Sequence, residues 1–209
     1  MKNKYIVFLV LAILSLGLNF LSKGLLNTDE LIINSLADNF TNEQIQEALN
    51  IKNKWQLVIY ISIPLVLLLK VLIVATIIST GCFFFDKEIK YKTIFRIVVE
   101  AEFIFLLVIV CKTLWFYLFQ TNYTLEDLQY FYPLSSINLT GYDNLKPWFV
   151  YPLQVLNLFE VAYWFILAYL LGKEFKEGIF KGLTVVASSY GVGLVIWVVA
   201  VMFFTLNMS

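Results

Sequence analysis

Histidine is absent from this 209-residue chain. That removes triads built on a His base, His-ligated zinc and haem sites, and the side chain that titrates nearest neutrality. Cysteine is nearly absent. Cys82 and Cys111 each sit inside an apolar run, without the spacing of a metal knuckle or a redox pair, so both read as buried reduced thiols. Charge is scarce as well: 14% of the residues, where a soluble domain carries about a quarter. The 15 basic and 15 acidic side chains cancel, so no global field points to nucleic acid and none is expected as a partner. Ser188 and Ser189 have no histidine base and no G-x-S-x-G elbow around them. With no nucleophile–base pair and no metal cluster in view, the expectation is a non-enzymatic protein with no catalytic residue, metal or cofactor.

What is present instead is apolar: 60% of the residues are hydrophobic and 17% are aromatic. An excess of this size needs a second solvent, and lipid is the one available. About 20 mostly apolar residues cross a bilayer as a helix, and five stretches have that length, at about 5–21, 55–83, 94–119, 149–171 and 182–206. The expected fold is therefore a single all-α transmembrane domain over 1–209, a polytopic bundle of five membrane helices. Outer loops at 22–54 and 120–148 and inner loops at 84–93 and 172–181 join the spans. The first stretch has the lysines and apolar run of a signal peptide, yet no small-x-small cleavage site follows, so it is expected to stay as a signal-anchor.

Lysine and arginine set the orientation. With the N-terminus inside, the inner side holds Lys2, Lys4, Lys87, Lys90, Lys92, Arg96, Lys173, Lys176 and Lys181, and the outer side Lys23, Lys52, Lys54 and Lys146. Nine against four predicts N-in, C-out in a bacterial inner membrane. The outer loops also carry acids, Asp38 and Asp143 among them, which weigh little in this rule. In the first outer loop, Ile32, Ile33, Leu36 and Phe40 share a helical face, and Thr41 with Gln44 reads as a capping box opening a second short helix. Two amphipathic surface helices are expected there, as a platform for partners or lipid or as a lid packed on the bundle. The inner loops alternate Lys with Phe and Ile, as segments resting on anionic headgroups do. The sequons at Asn39, Asn122 and Asn138 read as coincidence in a chain rich in Ile, Lys, Asn and Phe, a composition of AT-rich bacterial genomes.

Five charges fall inside the apolar stretches: Lys70, Glu100, Glu102, Lys112 and Glu160. A charge at the bilayer centre costs about 2.5–3.5 kcal/mol on insertion scales, so such groups face the interior, pair or become neutral. Glu100 and Glu102 point to nearly opposite sides of one helix and make a poor catalytic dyad. Glu160 shares a face with Asn157 and Trp164 and is expected to pair with Lys112 or Lys70, as a register-fixing ion pair or as part of a proton or ion path. Pro64 and Pro152 are positioned to kink their helices. In the last stretch Ala187 with Gly191, and Ser189 with Gly193, form overlapping small-xxx-small pairs that let helices approach closely, within the bundle or across a homodimer.

The run from "FYPLSSINLTG" to "VLNLFEVAYWFILAYLLGKEFKEGIFKGLTVVASSYGVGLVIWVV" carries a Ser/Leu-rich outer segment and then Asn157, Leu158 and Phe159, with Trp164 a few residues on. Gly172, Lys173, Lys181 and Trp197 follow, and "ATIISTGCFFFDKEIKYKTIFRIVVEAEF" precedes them with a glycine before a polar connector. Over about residues 75–200 this resembles the bacterial branch of the Yip1 family, with five spans in agreement. The chain departs in having Asn157 where Asp is common, and in its long first outer loop. The resemblance implies a non-catalytic membrane organiser: a scaffold or accessory subunit working with other membrane proteins of an envelope transport or secretion complex. The eukaryotic members bind small GTPases, but no GTPase-binding residue carries over. A different class of function, a small transporter or channel subunit lined by Glu160, Lys112 and Lys70, remains open at this point.

Overall fold

The computed structural model describes residues 3–37, 40–141 and 145–208; Lys2, Asp38, Asn39 and Asp143 lie outside the described residues. Helices are α1 (Asn3–Leu25), α2 (Thr28–Ala37), α3 (Asn42–Phe84), α4 (Tyr91–Glu102), α5 (Ile104–Leu118) and α6 (Leu125–Tyr130). After them come α7 (Ile137–Thr140), α8 (Pro147–Val155), α9 (Leu158–Phe175), α10 (Ile179–Val186), a π-helical turn at Ala187–Gly191, and α11 (Val192–Met208). Among the described residues no strand forms, and a single antiparallel bridge joins Ser135 to Asn157.

The core is built where apolar stripes meet. On α3, Val71, Val74, Ala75, Ile78 and Cys82 recur at helical spacing and are all buried. Ile94, Ile97 and Val98 of α4, Leu167, Ala168 and Leu171 of α9, and Val185 and Val186 of α10 close on that stripe. The outside of the bundle is as apolar as the inside: Leu57, Val66, Phe83, Val195 and Phe204 are more than half exposed. Water would oppose a surface of that kind, and hydrocarbon solvates it at no cost. Three helical runs are long and apolar enough to cross a membrane, Tyr5–Leu25, Asn42–Phe84 and Ile179–Met208. Each of the other two expected spans arrives as a pair of helices, α4 with α5 and α8 with α9.

The first outer loop departs from expectation. The Thr41 capping box forms, with the Gln44 amide donating to Oγ1 of Thr41 at 3.4 Å and the Thr41 amide donating back to the Gln44 side chain at 3.0 Å. The helix it opens is not short. It runs 43 residues to Phe84, a length of about 65 Å, roughly twice the hydrocarbon thickness. "LNIKNKW" contains neither glycine nor proline, and each further residue adds a backbone bond once a helix is nucleated. Pro64 lies within α3 without ending it.

Two glycines set the closest crossing. A Cβ on Gly182 would run into the carbonyl of Ala168, and one on Gly172 into the carbonyl of Gly178. The α9–α10 hairpin therefore closes backbone to backbone, as small residues permit between membrane helices. Gly182→Ala is expected to lower the thermal unfolding midpoint in detergent by an amount typical of overpacking, about 1–3 kcal/mol. Gly17, whose Cβ position is empty on α1, should accept alanine with no loss. Equal midpoints for the two variants would contradict the crossing.

Candidate functional site: a buried polar cluster

Lys70 projects from the middle of α3 towards the end of α4, where Glu102 is buried with its side chain 1% exposed. Their ion pair measures 2.8 Å. The Lys70 ammonium also lies 3.8 Å from the ring centroid of Phe105 and 5.6 Å from that of Tyr163. The carboxylate is buried while the Lys70 side chain stays 42% exposed, so the cation sits at the edge of the cluster, over aromatic faces and against Glu102.

Glu160 occupies the first turn of α9, where the helix dipole favours a negative charge. One of its oxygens accepts from the Tyr190 hydroxyl at 2.7 Å and from Trp164 Nε1 at 3.0 Å. It therefore pairs with neither Lys112 nor Lys70, contrary to the expectation from the sequence. Lys70 is engaged by Glu102, and two neutral donors have taken Glu160. The two halves are joined by rings, with Tyr163 meeting Tyr190 edge-on at 5.4 Å and Trp164 meeting it at 5.9 Å.

Backbone interruptions position these groups. Asn157 leaves the helical region (φ −138°, ψ 160°), and its Oδ1 accepts from the Glu160 amide at 2.8 Å, so it caps the helix that presents Glu160. Its Nδ2 donates to the carbonyls of Gln154 and Val155 at 2.8 and 3.0 Å. The segment before α7 supplies the rest: the Ser136 amide donates to the Leu156 carbonyl at 2.9 Å, and the Leu158 amide donates to the Leu134 carbonyl at 3.1 Å. At the facing element, Ser188 and Ser189 of the π-helical turn that carries Tyr190 donate to the carbonyls of Thr184 and Val185 in the last turn of α10, at 2.7 and 2.6 Å. Tyr132, between α6 and α7, is pushed up to about 12 by burial and by the charges of Glu160 and Glu102, so its phenol stays neutral.

The remaining predicted residues divide. Gly191 makes room for the Trp164 indole, which a Cβ would approach to 2.6 Å, and Ser189 Cβ lies 2.5 Å from where Gly81 would carry one. Gly193 faces Ile77. Ala187 is exposed, as is Leu158, while Phe159 is buried in α9. Glu100 stands apart from the cluster, 3.5 Å from Arg96, which bridges onward to Glu174 at 3.1 Å. Lys112 makes no ion pair among the described residues; beside it Thr113 donates to Ser22 at 2.8 Å and ties α5 to α1. Tyr163, Tyr190 and Phe105 escaped the sequence reading, although tyrosines inside apolar stretches are a signal that a hydroxyl needs a partner.

Chemically, the cluster offers one cation, two carboxylates and several phenols; Lys70 and Glu160 are engaged from within, while Oε1 of Glu102 and the Tyr163 hydroxyl are buried with no hydrogen-bond partner among the described residues. Among the described residues no group of three His, Cys, Asp or Glu side chains converges to hold a metal. No protein-family model, no curated protein and no solved structure matches the chain.

Asn157→Asp would keep the acceptor for the Glu160 amide and lose both donated bonds, in a site 6% exposed and one turn from another carboxylate. Val155 keeps the Asn157 amide, but the Gln154 carbonyl loses the Asn157 side chain; leaving one partly buried carbonyl without that donor costs about 1 kcal/mol, so this variant should unfold at lower denaturant in micelles than wild type. An unchanged midpoint would mean the cap contributes through its acceptor alone.

Proposed function

We propose that the chain is a non-enzymatic, Yip1-like inner-membrane protein with five spans, N-in and C-out, serving as a scaffold or accessory subunit of an envelope transport or secretion complex. The observation that carries this reading is that two of the charges in the apolar stretches, Lys70 and Glu160, are engaged by neighbouring side chains of the same chain. Lys70 is held by Glu102 and Phe105, and Glu160 by Tyr190 and Trp164, so the polarity acts as a lock between helices. A functional ion path keeps polar groups in contact with water or substrate. The two cavities between α1 and α3 touch none of Lys70, Glu102 and Glu160. The lysine asymmetry of the connections supports the orientation. In this reading the long α3, extending well past the hydrocarbon, and the exposed Lys and Phe residues of the inner connections supply the contacts.

A second reading, a small transporter or channel subunit using Glu160, Lys112 and Lys70, is favoured by one feature. The break at Leu156–Asn157 and the π-helical turn both lie beside the polar cluster, and interrupted helices are where transporters place their sites.

Purification of the full chain from its own membranes in mild detergent, as wild type and Glu160→Gln, separates the two. A defined set of membrane partners retained equally by both forms is the result expected of an accessory subunit. Isolation of the chain alone, together with proton or solute flux in liposomes that Glu160→Gln abolishes, would overturn that reading in favour of the second.

A further inference from the structure

A second polar feature lies away from the cluster, at the outer end of the α1–α3 pair. Two cavities of about 560 and 470 Å³ are contiguous there, because Gln56 and Tyr60 line both. Each has the size of a small-molecule pocket. Their walls differ in character. The first is lined on its deep side by Leu16, Leu57, Ile61 and Pro64. The second opens among Lys23, Thr28, Asp29 and Glu30, where α1 ends and α2 begins. The shared Tyr60 holds a buried hydroxyl with no hydrogen-bond partner. Its ring leans on Phe20, with 6.3 Å between centroids.

The polar end is built and carries both signs of charge. Asp29 bonds Lys52 of α3 and lies 3.6 Å from Lys23, so α2 is tied to both walls of the groove. The hydrogen bond from Lys52 and the nearby positive charges hold the Asp29 carboxyl below its usual range. Glu30 lines the same opening and makes no ion pair among the described residues. Besides Asn53, Gln56 and Tyr60, the lining of the first cavity is apolar, ending at Ile61 and Pro64.

We propose that this groove is a binding site for a single phospholipid whose headgroup carries both a phosphate and a primary ammonium. The phosphate meets Lys23 and the unpartnered Tyr60 hydroxyl, the ammonium donates to Glu30, and one acyl chain runs past Gln56 along Leu57, Ile61 and Leu16. A purely anionic headgroup would set its charge against Glu30 and Asp29. A quaternary ammonium would leave Glu30 without a donated hydrogen bond. The site is independent of the reading of the polar cluster, since no residue is shared.

The test is native mass spectrometry of the full chain in mild detergent, with equal amounts of phosphatidylethanolamine, phosphatidylcholine and phosphatidylglycerol of matched acyl chains. One phosphatidylethanolamine should survive activation that strips the other two. Glu30→Gln and Lys23→Gln should each cut its retention on the order of tenfold, the factor expected for one charge-assisted hydrogen bond. Leu57→Trp, which fills the groove from an exposed position, should abolish retention, and Val195→Trp on the exposed face of α11 should leave it intact. Equal retention of all three lipids, or equal losses for the two tryptophan variants, would reduce the groove to ordinary annular lipid and overturn the proposal.

Discussion

Hydrocarbon offers no hydrogen bonds, so every broken helical turn and every charge inside it must be answered by the chain itself. That constraint accounts for the departures from simple helices in this protein. Where α8 gives way to α9, the freed backbone groups are taken by Leu134 and Ser136 and by the Asn157 side chain. In the π-helical turn, serine hydroxyls reach back to carbonyls. Glu102 finds Lys70, and Glu160 finds Tyr190 and Trp164. These irregularities have partners nearby; Lys112, which makes no ion pair among the described residues, and the unpartnered Oε1 of Glu102 and hydroxyl of Tyr163 are the exceptions.

Close approach is the second requirement, because lipid provides no hydrophobic drive between helices. Glycine meets it where backbones must touch. Gly172 and Gly182 close the α9–α10 hairpin, Gly81 admits Ser189, and Gly191 admits the indole whose nitrogen serves Glu160. Packing and electrostatics are thereby coupled: a methyl group at Gly191 would displace Trp164 and so loosen a hydrogen bond to the carboxylate.

The helical, membrane-embedding character of the chain was legible in the sequence because apolar run length alone carries it. The Thr41 capping box was legible too, since it is written in residues three apart. Where that helix would end was not, because its length depends on the absence of a breaker across a polar stretch that reads as loop. Pairing within the cluster was hidden for a different reason. Lys70 and Glu102 are 32 residues apart, and Glu160 and Tyr190 are 30 apart. No local periodicity links them, and counting charges suggested Lys112 or Lys70 as the partner of Glu160 when neutral phenol and indole donors were available. The juxtaposition of the Ser135 segment with Asn157 was invisible for the same reason.

The central claim is that the charge on Lys70 is answered by Glu102 within one chain. Charge reversal tests it directly: Lys70→Glu and Glu102→Lys, each alone and then together, with the free energy of unfolding measured in micelles. Each single reversal should lower the unfolding free energy, Glu102→Lys more than Lys70→Glu because Glu102 is buried and Lys70 is 42% exposed, and the double reversal should recover most of that loss. A double variant no more stable than the sum of the two singles would contradict the pairing, and with it the account of the polar cluster as a lock between helices.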